Sequence, residues 1–97
     1  MEQTYNGWTN WSTWQFQIWL TNEWDAYSYC LQSVQKQIDE DTGEMHVIGM
    51  TNEDYFKQLL INCIGIKTPD DASIEDANIE ELLQHFIEDA VEDLQIN

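Results

Sequence analysis

Ten carboxylates fall as five doublets, Asp70-Asp71, Glu75-Asp76, Glu80-Glu81, Glu88-Asp89 and Glu92-Asp93, in the last third of the chain. Two acids across a cleft can cleave a glycoside, one as general acid and the other as base or nucleophile, or can hold a metal for hydrolysis. Such a site also needs groups that bind substrate, and most of these acids have no His, Lys or Arg beside them. They read as a solvated surface. Asp39, Asp41 and Gly43 resemble the start of a calcium loop, but an EF-hand requires glycine at its sixth position and a bidentate glutamate at its twelfth. Counted from Asp39, those positions hold Glu44 and Met50. The loop pattern fails, leaving only weak, adventitious binding of divalent ions by clustered acids.

His85 stands between Gln84 and Phe86 with no Ser or Cys nucleophile nearby. An activated nucleophile needs its base in reach and a third group to orient that base, so His85 reads as a surface or boundary residue. Cys30 and Cys63 lack Cys-x-x-Cys spacing and read as reduced, buried thiols, and together with His46 and His85 they lack the close spacing of zinc knuckles. Asn10-Trp11-Ser12 is a chance glycosylation match. Five Trp and four Tyr would suit a stacking platform for single-stranded nucleic acid, but such a platform needs a basic groove, and the chain holds only Lys36, Lys57 and Lys67. The expectation is a protein that is not an enzyme and uses no cofactor or metal.

The charge excludes further partners. Nineteen Asp and Glu against three basic residues give a formal net charge of -16 over 97 residues, which repels nucleic acid and anionic lipid. Disordered acidic tails share that charge but not the 42% hydrophobic and 12% aromatic content found here. The chain should fold as one small domain, with homodimerisation as a natural supplement to a core of limited size. No run approaches the ~20 apolar residues of a membrane span, and Met1-Glu2-Gln3-Thr4 lacks the layout of a signal peptide. A cytoplasmic protein is expected.

The elements that must position these residues are helical throughout. Tyr5-Asn6-Gly7 reads as a turn, and Thr9-Asn10 as an N-cap before a helix from about Trp11 to Thr21 that is apolar nearly all round. A second helix, about Glu23 to Ile38, carries Trp24, Tyr27, Leu31, Val34 and Ile38 as an amphipathic stripe with Cys30 at its edge. Asp39 to Glu44 breaks the pattern and leads through Met45 to Gly49, readable as an irregular loop or a short extended piece with no evident sheet partner. Thr51 opens a third helix with a capping box, Met50 and Tyr55 form its hydrophobic staple, and Gly65 ends it. Thr68-Pro69 should start a short helix running to about Ala77. Asn78 caps a last helix to about Gln95, with Ile79, Leu82, Leu83, Phe86, Ala90 and Leu94 on one face. The fold class is all-α, a compact single-domain bundle of four to five helices. Its core is expected to pack Trp14, Phe16 and Trp19 against Tyr27, Leu31, Leu59, Leu60 and Phe86.

Gly7-Trp8-Thr9-Asn10-Trp11-Ser12-Thr13-Trp14, continuing to Trp19-Leu20-Thr21-Asn22, resembles the opening of a family of small proteins from bacteriophages, plasmids and other mobile elements, typically Gly-x-Thr-Asn-Tyr-x-Thr-Trp. The stretch from Asn78 to Asp89 resembles the family's closing helix, where Asn-Trp-x-x-Ile-Ala-x-x-Leu is usual. Trp11 replaces the usual Tyr and Ile79 the usual Trp. The family is a domain of unknown function, so the resemblance implies a genomic habitat and no catalytic residues. That habitat is rich in small acidic inhibitors of host defence, anti-restriction and anti-CRISPR proteins among them, which is an argument by association.

The acids then suggest a surface. On a helix rising about 1.5 Å per residue, Glu81, Glu88 and Glu92 form a line with gaps of roughly 10 and 6 Å, the second similar to the spacing of neighbouring phosphates along one strand. Asp89 and Asp93 widen that stripe, and Asp70, Asp71, Glu75 and Asp76 extend it. The expectation is a nucleic-acid mimic that blocks a basic cleft on a host nucleic-acid-binding protein or defence complex. The fallback contact is the loop at Asp39, Glu40, Asp41 and Glu44. The competing expectation is an adaptor that binds another protein through exposed Trp and Tyr.

Overall fold

A computed structural model describes residue 5 and residues 7–96, the side chains of 94–96 excepted. Four helices among the described residues, α1 (Trp11–Asn22), α2 (Trp24–Gln35), α3 (Asn52–Cys63) and α4 (Ile79–Ile96), share one core, and Ile74–Asp76 forms a 3-10 turn before α4. Among the described residues there is no strand, only isolated bridges. The all-α bundle follows from the sequence pattern, while several of its details differ from it.

Local signals set the helix starts. The Asn10 side chain accepts the Thr13 N–H at 2.9 Å, and that of Thr51 accepts the Asp54 N–H at 3.1 Å, satisfying donors that a first turn leaves unpaired. Glu53 and Asp54 add negative charge where the α3 dipole is positive. At the other end of α3, Gly65 takes a φ of +110°, a left-handed conformation that favours glycine. The Tyr5–Trp8 turn is closed by Tyr5 N–H to Trp8 O at 2.7 Å and Trp8 N–H to Tyr5 O at 2.8 Å, and Gly7 has a φ of +89°. The predicted turn residue Asn6 lies outside the described residues.

Phe16, Val34, Phe56, Leu60 and Ile74 are sealed from solvent. Phe86 of α4 joins α2 and α3 here, its ring 5.2 Å from Phe56 and 5.5 Å edge-on from Tyr27. Leu82, Leu83 and Ala90 complete the buried face of α4, with Ile79 beside them. The side chain of Leu94, expected on that face, lies outside the described residues.

Three expectations are corrected. The core side of α1 is not its tryptophan side: Ser12, Thr13, Gln15, Phe16 and Leu20 are buried, whereas Trp14 and Trp19 are half-buried and Trp11 is exposed. Trp14 packs 4.6 Å from Tyr5. The buried polar groups are tolerated because they are paired: Gln15 Oε1 accepts Trp19 Nε1–H at 3.2 Å and the Thr68 hydroxyl at 3.4 Å. On α2, Trp24 is 74% exposed, whereas of the two thiols expected to be buried Cys30 is sealed from solvent and Cys63 only half-buried. The helix also ends at Gln35, because Ile38 leaves it to bridge Met45 and both bury their side chains. His46 N–H to Gln37 O at 2.8 Å and Asp39 N–H to Glu44 O at 2.9 Å close the intervening loop.

The third correction is the helix expected from Pro69. Thr68 N–H reaches Ala72 O at 2.9 Å, Asp71 N–H reaches Thr68 O at 2.8 Å, and Asp71 sits at φ +71°. A left-handed residue interrupts a right-handed helix. Burial of Ala72 and Ile74 outweighs the local preference, and only Ile74–Asp76 makes a helical turn.

Candidate partner-binding face

The acids expected to form the contact surface divide into those facing solvent and those engaged inside the molecule. Asp70, Asp71, Glu75 and Asp76 are all exposed in the segment leading to α4. Asp71 pairs with Lys67 Nζ at 3.3 Å and Glu75 with Lys57 Nζ at 3.0 Å, both exposed enough to be worth little to stability. Asp76 takes part through its backbone, its carbonyl accepting Asn10 Nδ2–H at 2.8 Å.

On α4 the structure separates Glu81 and Asp93 from the rest. Glu81 faces away from the core by helical spacing, yet it is half-buried, because the Thr9 segment crosses this face and the Thr9 N–H donates to Glu81 Oε1 at 3.0 Å. Asp93 is also half-buried and accepts Gln35 Nε2–H at 2.8 Å. Glu80, Glu88, Asp89 and Glu92 are exposed. With Gln84, the residues Glu80, Glu88 and Glu92 follow four-residue steps of about 6 Å each, and Asp89 lies one residue to the side. Glu80 belongs to the exposed row although spacing had favoured Glu81. The signal available for it was the doublet itself.

Beside this row lies a groove of about 180 Å³ lined by Trp8, Leu20, Tyr27, His85 and Phe86, with Glu88 and Asp89 also on its wall. His85 rests against Trp8 with ring centroids 4.7 Å apart. Burial, then the Asp89 and Asp93 carboxylates, raise the Tyr27 hydroxyl above its ordinary pKa. Periodicity did not reveal this groove, because Trp8 reaches it from the N-terminal turn.

The fallback loop is held by its own side chains. Asp39 Oδ1 accepts the Asp41 N–H at 2.8 Å and Thr42 Oγ1 accepts the Glu44 N–H at 3.2 Å, a turn stabilised by side-chain acceptors. Among the described residues, no three His, Cys, Asp or Glu side chains are grouped to hold a metal ion. Exposed aromatics are present elsewhere: Trp24, Tyr29, Tyr5 and Trp11.

A family model described as a family of unknown function, DUF7249, matches residues 1–93. That span takes in the N-terminal turn, all of α1 to α3 and nearly all of α4. The chain belongs to DUF7249. No curated protein and no solved structure matches it. The span matched to DUF7249 includes Thr9, Asn10 and Thr13 at one helix start and Asn78 and Glu81 at another, which lie together here. Thr13 Oγ1 accepts the Asn78 N–H at 2.8 Å, Asn78 Oδ1 accepts the Glu81 N–H at 3.0 Å, and Asn78 Nδ2–H reaches Thr9 Oγ1 at 3.3 Å. The resemblance noted at these two stretches therefore falls on residues that join α1 to α4. Their chemistry in this chain is capping.

Proposed function

We propose that this DUF7249 protein is an acidic, non-catalytic inhibitor of phage or mobile-element origin. It acts in the bacterial cytoplasm and occupies the nucleic-acid-binding surface of a host defence complex. The observation that carries this reading is the exposed row of Glu80, Glu88, Asp89 and Glu92 on α4. Four carboxylates there offer a cationic cleft what a phosphate backbone offers, while a net charge of -16 adds attraction at longer range. Lys57 pairs with Glu75 and Lys67 with Asp71, so those two acids already carry a counter-charge. Asp70, Asp71, Glu75 and Asp76 extend the surface towards the start of α4, whereas Glu81 and Asp93 serve the fold.

The test is capture of the host partner from lysate, followed by competition with nucleic acid for the purified complex. Converting Glu80, Glu88 and Glu92 to Gln and Asp89 to Asn should leave helicity unchanged, since exposed substitutions usually have small effects. Affinity should fall at least tenfold, and wild-type binding should weaken steeply as salt is raised. Undiminished blocking by the quadruple variant would remove this face from the mechanism.

A second reading rests on Trp24, whose 74% exposure is high for so large an apolar side chain. An adaptor using Trp24 and Tyr29 as anchors would bind with little dependence on salt and would lose affinity on Trp24→Ala. The same titration separates the two.

A further inference from the structure

Cys30 and Cys63 come from different helices and 33 residues apart, yet their sulfurs lie 3.6 Å from one another without a bond. We propose that they form an oxidation site that reacts with a hydroperoxide and closes into an α2–α3 disulfide. The two thiols have unequal access. Cys30 is fully buried, whereas Cys63 is half-buried at the last position of α3. Cys63 also lines a cleft of about 550 Å³ with Trp19, Ala26, Tyr29, Ile64 and Pro69. A small peroxide entering that cleft meets Cys63 first.

The chemistry runs in two displacements. The Cys63 thiolate attacks one peroxide oxygen, the O–O bond breaks, and the other oxygen leaves as water or alcohol once protonated, giving a sulfenic acid at Cys63. The Cys30 sulfur then attacks the Cys63 sulfur, the S–O bond breaks, and the hydroxyl leaves as water with the proton from Cys30. The two sulfurs lose two electrons and the peroxide gains them. Sulfurs at 3.6 Å need close only about 1.5 Å to reach bonding distance. Burial, reinforced by Cys63, raises the Cys30 thiol well above its ordinary value. Cys30 is thereby a poor first nucleophile towards peroxide, and its contact with the Cys63 sulfur makes it the resolving thiol. A resolving thiol in contact with Cys63 also intercepts the sulfenic acid before a second peroxide takes it to sulfinic acid.

The test treats the whole reduced protein with hydrogen peroxide, then denatures, alkylates and maps the peptides. Both thiols should disappear together, with one cross-linked peptide containing Cys30 and Cys63 in monomeric protein, restored to two alkylatable thiols by dithiothreitol. The oxidised protein should also melt at a higher temperature, because the cross-link constrains the unfolded chain. In Cys30→Ala, a sulfenic acid should be trapped by dimedone at Cys63. If that variant does not fold, the wild-type map decides. The proposal is overturned if Cys63 accumulates sulfinic acid while Cys30 remains alkylatable, if the product is an intermolecular dimer, or if neither thiol reacts.

Discussion

The Thr13 hydroxyl accepts the Asn78 backbone N–H at 2.8 Å and donates to Asn10 Oδ1 at 2.7 Å, so one fully buried side chain joins the N-caps of α1 and α4. In an ordinary capping box, the residue at N3 reaches back to the N–H of its own cap. Here Thr13 takes the Asn78 N–H, and the carboxylate of Glu81 turns instead to the Thr9 N–H. Each helix start is completed by the other.

Thr13→Val keeps the shape of this side chain and removes both hydrogen bonds. It should destabilise the protein by about 1–3 kcal/mol, the usual net contribution of two such hydrogen bonds, and Thr13→Ser should recover most of the loss. Urea unfolding of the three proteins measures this. A Val variant as stable as wild type would show that the link contributes nothing.

Phe16 and Trp14 occupy the same helix and differ in what surrounds them. Phe16→Ala opens a cavity in a sealed core and should cost about 3–5 kcal/mol. Trp14→Ala, at a half-buried position against Tyr5, should cost less than half as much. Equal losses in chemical unfolding would return Trp14 to the core that helical spacing suggested.

Tyr27 makes stability depend on pH at the alkaline end. Its hydroxyl pKa is raised above 10.0 by burial and then by Asp89 and Asp93, so the folded protein holds this proton more tightly than the unfolded chain does. The contribution is complete below the ordinary value and is lost as pH rises through the folded one. Urea midpoints should therefore decline above about pH 10, and Tyr27→Phe should flatten that decline. Asp89→Asn should lessen it only in part, because burial is the larger cause. An unchanged alkaline slope in Tyr27→Phe would exclude this tyrosine as the source.

The sequence by itself determined the helix starts at Asn10, Thr51 and Asn78, the stop at Gly65 and the buried face of α4 from Ile79 to Ala90. Each is a short-range signal, a cap meeting an N–H three residues on or an apolar residue recurring every turn. Net charge and the position of the acid doublets were equally legible. Only the tertiary structure decided which side of α1 faces inward, because Thr13 and Gln15 can be buried only where Asn78 and Thr68 supply hydrogen bonds from far along the chain. The same holds for the acidic face. Glu81 was removed from it by Thr9, 72 residues away, and Asp93 is engaged by Gln35, 58 residues away. The loop at Thr68–Ala72 and the meeting of Cys30 with Cys63 likewise depend on which elements pack side by side. Periodicity gives the face a helix presents, and packing selects what covers that face.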